Sequence, residues 1–172
     1  MKTNVLLHLA SRINSIRMTM MVLVAVFATS MAISQTTVVD IIVNSPDHTT
    51  LEAAVIAAKL DDDLSGTGPF TVFAPTDDAF DALPDGVLDD LLADPEGALA
   101  QVLLYHVVPG DLDASEVLSQ GWLKTAEGRT LKARVVEGEV YINNAKVISP
   151  NIEAENGTIH AIDRVLIPWF RH

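Results

Sequence analysis

No cysteine occurs in the 172 residues. That excludes disulfide staples, thiolate nucleophiles, cysteine-ligated zinc and lipid attached through cysteine. Aromatic side chains are scarce, at 5% against 49% hydrophobic residues overall. The core must therefore be built of Val, Ile, Leu and Ala, with few flat rings to stack on sugars or bases. Positive charge is also short: 11 Lys and Arg stand against 23 Asp and Glu, a formal net charge of −12. Such a surface repels phosphate backbones and anionic lipid, which argues against nucleic acid as a partner. No apolar run reaches the ~20 residues that a membrane-spanning helix needs.

The nearest approach to such a run is Met18–Ala28 (MTMMVLVAVFA), which follows a segment holding Lys2, Arg12 and Arg17 and no acid. Small and polar residues follow it, Thr29–Gln35 (TSMAISQ). A charged start, an apolar middle and a small-residue end are the order of a secretory signal peptide. Residues 1–34 are thus expected to be an export signal, cut after Ala32 or after Ser34, leaving a mature part with no integral membrane span. That part is long enough to bury roughly 70% of its unfolded surface without staples.

The remaining chain changes period midway. Thr37–Asn44 (TVVDIIVN) predicts a short helix stopped by Ser45-Pro46. Thr49-Thr50-Leu51-Glu52 has the form of a capping box, opening a helix with Leu51, Ala54, Val55 and Ala58 on one stripe. Asp61–Pro69 (DDDLSGTGP) has loop composition, and Phe70–Phe73 is strand-prone. Thr76 is expected to cap a further helix, with Asp77 and Asp78 complementing its dipole. Pro84–Leu92, Pro95–Leu104 and Asp113–Leu118 read as more short helices, with Asp94 and Asp113 as caps. From Trp122 the period is two: Leu131, Ala133 and Val135 alternate with Lys132, Arg134 and Val136. Turns at Glu137–Glu139, Asn143-Asn144 and Asn156-Gly157 make the rest an antiparallel meander. Segregated helices and strands predict one α+β domain.

Chemistry-bearing patterns are thin. His106 and His160 sit in apolar runs (LLYHVV, TIHAID), where a histidine is expected to be a satisfied core residue. There is no HExxH pattern and no Gly-x-Ser-x-Gly elbow, so zinc hydrolysis and serine hydrolysis lack their signatures. Gly66-Thr67-Gly68-Pro69 lacks the third glycine and the helix of a phosphate cradle. Asp61, Asp63, Ser65 and Gly66 match the first ligand positions of a calcium loop, but the twelfth position is Val72 where a glutamate is required. No catalytic residues, cofactor or metal are expected.

Three stretches in order carry a family resemblance. Phe70–Phe80 (FTVFAPTDDAF) resembles the first signature box of fasciclin-like domains, Leu104–Val107 (LYHV) their Tyr-His motif, and Asn156–Pro168 (NGTIHAIDRVLIP) their second box. The likeness spans residues 36–169. It implies a fasciclin-like wedge: a twisted antiparallel β-sandwich of about seven strands, with several short helices packed at one side. It also implies a non-catalytic, secreted or periplasmic adhesion module of the single-domain bacterial type. Its partner would be a cell-surface or matrix protein or polymer, and the module itself a monomer or weak homo-oligomer. The alternative is an exported binder of a small molecule or of calcium.

The resemblance places binding at Tyr105 and His106 and at an Asp-Ile pair that here reads Asn151-Ile152. The missing aspartate removes the acidic contact that integrin-type recognition favours. Thr76, Asp77, His106, Asn156, Gly157 and His160 are the motif positions expected to form the framework, with the His106 imidazole tied to the Thr76–Asp78 turn. Asn156-Gly157-Thr158 is also a glycosylation sequon, for which a plain turn is the competing reading.

Overall fold

The computed structural model describes residues 36–168. The expected signal segment, both of its cleavage positions and residue 169 lie outside them. Helix α1 (Val38–Val43) opens on a capping box: Thr37 Oγ1 accepts from the Asp40 N–H at 3.2 Å while the Asp40 carboxylate accepts from the Thr37 N–H at 2.8 Å. Helix α2 (Thr49–Ala57) buries Leu51, Ala54 and Val55, as its stripe predicts. Its start differs from the expected capping box. Thr49 is the first helical residue, and the Thr49 and Thr50 N–H groups donate instead to the Asp77 carboxylate, at 3.2 and 2.8 Å. A side chain distant in sequence thus caps the helix.

Asp61–Leu64 is not loop but a helical turn, α3. Its three aspartates occupy the N-terminal positions that a helix dipole favours, and Leu64 is buried. Strand β1 (Phe70–Pro75) leads into α4 (Asp77–Asp81), then α5 (Val87–Ala93). A π-helical turn at Pro95–Leu99, capped by Asp94, runs into α6 (Ala100–Tyr105). Next come β2 (Val107–Pro109) and α7 (Ala114–Gln120), which opens on an Asp113–Glu116 capping box. The strands β3 (Trp122–Lys124), β4 (Thr130–Val136), β5 (Glu139–Ile142), β6 (Ala145–Ala154) and β7 (Gly157–Ile162) complete the chain.

The seven strands form one sheet in the order β2-β1-β7-β6-β5-β4-β3. The sheet is mixed rather than antiparallel, because β1 and β7 run parallel from Phe70↔Gly157 to Pro75↔Ile162. The two signature boxes are therefore neighbours in the sheet, a pairing that no local pattern reveals. The sheet also curls on itself instead of splitting into two layers. Its edges approach where the Ala126 N–H donates to the Val107 carbonyl at 2.7 Å, so it nearly closes into a barrel. The last turn falls at Glu155-Asn156, with Gly157 already in β7.

Apolar side chains sort into two clusters. One lies inside the curled sheet, around Phe73, Leu123, Leu131, Ile142, Ile162 and Leu166. The other lies between sheet and helices, around Val38, Leu51, Val55, Leu99, Val102 and Ile159. Strand alternation divides β4 accordingly: Leu131 and Ala133 point inward, Lys132 and Arg134 outward. Val135, expected on the inner face, is 55% exposed because the β4–β5 hairpin tip runs past the core.

Candidate functional site

The motif residues build a framework. His106 ends α6, and its ring is buried, with 2% of the residue exposed. Nδ1 lies 2.8 Å from the Val102 carbonyl and Nε2 lies 2.9 Å from the Leu166 N–H. This fixes the neutral tautomer: Nδ1–H donates and Nε2 accepts. Burial depresses its pKa to about 4, opposed only in part by the Val102 carbonyl. The expected tie to the Thr76–Asp78 turn is replaced by this bond to Leu166, because α6 packs against the segment that follows β7. His160 likewise accepts from the Asn151 N–H at 3.2 Å, lies 3.0 Å from the Leu112 carbonyl through Nε2, and stacks on Phe73 with ring centres 5.5 Å apart. Burial lowers its pKa, with the Leu112 carbonyl, Asp113 and Asp111 pulling the other way.

Asn156 is the most heavily used polar side chain of the second box. It is buried, its Oδ1 accepts from the Val38 N–H at 2.8 Å, and its Nδ2 donates to the Leu64 and Gly66 carbonyls at 2.8 and 2.9 Å. One side chain thus ties α1 and α3 to the sheet. Gly157 beside it permits the closest approach, since a Cβ there would overlap the Phe70 carbonyl across the parallel pair. Thr76 stands at the N-cap of α4 but makes no side-chain cap bond, while Asp77 serves α2.

Of the residues expected to bind, His106 has no surface to offer, because its ring is spent on two backbone groups. Tyr105 is 6% exposed; its hydroxyl donates to the Thr130 carbonyl at 3.2 Å and accepts from Asn143 Nδ2 at 3.1 Å. Asn151 is exposed at a positive φ of 57°, with Oδ1 accepting from the Ala114 N–H at 2.9 Å. Ile152 is half-buried against the helix-side cluster. Tyr105 lines a cleft that Asn151 and Ile152 do not reach.

That cleft has a volume of about 950 Å³. One wall is the outer face of β3 and β4, where Trp122 pairs with Lys132 across the strands and Arg134 follows. The other wall is made by the end of α4 with Leu83 and Pro84, and by Arg164–Pro168, which the His106–Leu166 bond holds in place. Trp122 is 62% exposed, with Lys132 Nζ 5.4 Å from its ring centre. No Asp or Glu lines the cleft. Sequence reasoning missed it, although the alternation on β4 had already put Lys132 and Arg134 on one face.

A serine–histidine pair does occur, Ser45 Oγ to His48 Nδ1 at 2.7 Å. His48 Nε2 is buried without a carboxylate partner, so the pair lacks the third member of a hydrolase triad and closes the turn before α2. Among the described residues no three His, Asp or Glu gather to hold a metal, and no helix is long and apolar enough to cross a membrane.

Comparison with known proteins agrees with the fold. The chain is 47% identical over 137 residues to protein sll1483 of Synechocystis sp., covering 78% of this chain and 75% of that one. It is 34% identical to the cell surface glycolipoprotein MPB83 of Mycobacterium bovis, over 73% of this chain and 57% of that one. A FAS1 domain pair from the insect cell adhesion molecule Fasciclin I superposes with a TM-score of 0.68 at 21% identity, covering 77% of this chain and 51% of that one. The fasciclin-domain pattern matches residues 46–168, which include all three motifs, and the chain belongs to the fasciclin-domain family.

Proposed function

We propose that the chain is an exported, non-catalytic fasciclin-type module that binds a cell-surface or matrix protein or polymer through its outer surface. One observation carries this reading: the family's signature side chains His106, His160 and Asn156 are consumed in backbone hydrogen bonds, which makes them framework and not reacting groups. Relatives named for cell-surface and cell-adhesion roles support it, as does a leader whose charge and apolar order fit export. The fasciclin family is generally non-catalytic. Recognition then falls to exposed loops and to the cleft beside Tyr105, with Asn151 and Ile152 as a separate rim contact. The test is retention of intact source cells, or of their isolated surface matrix, by the immobilised folded protein. Retention above an unrelated acidic protein of similar size is expected. Equal retention, or recovery of the protein only from the cytoplasmic fraction, overturns the reading.

A further inference from the structure

Resting on that reading, we infer that the cleft between the β3–β4 face and Arg164–Pro168 is a binding site for a carboxylate-bearing sugar chain, a uronic-acid glycan. Charge placement is the first argument. Lys59, Arg129 and Lys146 each find a carboxylate partner, Glu96, Glu127 and Glu139. In a chain with 23 acidic residues, partners are easily found. Lys124, Lys132, Arg134 and Arg164 nonetheless have none among the described residues, and all of these but Lys124 line one cleft that contains no acid. Exposed cations collected without counter-charges form a local attraction for carboxylates. The net charge of −12 opposes this only weakly, because at physiological salt exposed charges are largely screened beyond ~8 Å and the acids lie outside the cleft lining. It disfavours a densely charged polyanion such as nucleic acid more than a chain with one charge per ring.

The second argument is Trp122, an indole left 62% exposed in a protein with very few aromatics. Lys132 Nζ stands over the ring, so the indole is a plate steadied by one cation. Such a plate suits the apolar C–H face of a sugar ring while Arg134 and Arg164 take the flanking carboxylates. The exposed Asn144 amide supplies a donor and an acceptor for hydroxyls. An acidic peptide would use the cations but has no flat face to match the indole. The opening, near 950 Å³ and not enclosed, admits a polymer passing through.

Calorimetric titration of the full chain with an oligogalacturonate tests the site, with a neutral malto-oligosaccharide and polyglutamate as comparison probes. The expected result is saturable binding of the oligogalacturonate, none of the neutral sugar, and about tenfold weaker binding in each of Trp122→Ala and Arg134→Gln. Lys146→Gln, which lies outside the cleft, should leave binding unchanged. These side chains are exposed, so unchanged circular dichroism and urea midpoints confirm folding of the variants. Absence of oligogalacturonate binding, or binding indifferent to Trp122 and Arg134, overturns the site. Tighter polyglutamate binding that ignores Trp122→Ala also overturns it, in favour of an acidic protein. If cell retention persists while the oligogalacturonate does not bind, the cleft assignment fails and the adhesion reading stands. If the oligogalacturonate binds but cells are not retained, the reverse holds.

Discussion

His106 shows how one side chain decides local structure. Its two ring nitrogens each meet a backbone group of opposite hydrogen-bonding type, on α6 and on the segment after β7. His106→Ala leaves the Leu166 N–H without an acceptor in a buried place and opens a cavity, so about 1–3 kcal/mol of stability should be lost in urea unfolding. An unchanged midpoint would reject the role. Asn156 makes a sharper case. Asn156→Asp keeps the shape but turns an oxygen toward the Leu64 and Gly66 carbonyls, where Nδ2 now donates. A loss of about 3 kcal/mol or more is expected, because a buried acceptor then faces acceptors. The same geometry bears on the sequon. Nδ2 is enclosed by its two carbonyls, so folded protein made in a glycosylating host should carry no sugar at Asn156. Intact mass measurement decides this, and a glycosylated, folded species would contradict the buried bonding.

At the scale of elements, caps behave less locally than sequence patterns suggest. Asp113–Glu116 and Thr37–Asp40 close boxes within their own helices, but α2 takes its cap from Asp77, far along the chain. Asp77 is partly desolvated, which alone would raise its pKa. Hydrogen bonds from Thr50 and Thr49 outweigh this and hold the pKa below the ordinary value. Asp77→Ala should therefore destabilise the protein by about 1–2 kcal/mol through α2, measured as a urea midpoint. Asp78→Ala, at the neighbouring exposed position, should cost much less. Equal effects would mean that Asp77 acts only through the dipole of α4. The Thr49-Thr50-Leu51-Glu52 pattern misleads because a local box and a long-range carboxylate compete for the same N–H groups, and packing of α4 against α2 brings the carboxylate.

For the whole molecule, buried histidines set a pH dependence. His106, His160 and His48 are all depressed, first by desolvation, and for His48 the Asp47 and Asp77 charges and the Ala74 backbone oppose it. Below pH 6.5 the unfolded chain takes up protons on these rings while the native state refuses them. The unfolded state then binds more protons, and stability falls as pH falls. For His106 the contribution is fully present above its unfolded value of 6.5 and is lost progressively down to about 4, amounting to about 3 kcal/mol. Urea midpoints followed through that window should drop, and should drop less in His106→Ala. A flat profile in the wild-type protein would show that the rings charge without cost in the fold.

The sequence alone determined the class of the molecule. Hydrophobic period marked most helices and the meander, polar residues at helix starts marked Asp94 and Asp113, and three ordered motifs marked the family. These features depend on residues close together in the chain, whose preferences are read one window at a time. Only the tertiary structure decided the parallel pairing of β1 with β7, the near-closure of the sheet, the helical turn at Asp61–Leu64 and the partners of His106 and Asn156. It also decided the cleft, where Trp122, Lys132 and Arg134 from the sheet meet Arg164 from the chain's end. Each depends on contacts between segments distant in sequence, where the curvature of the sheet and the packing of helices on it choose among many locally equivalent neighbours.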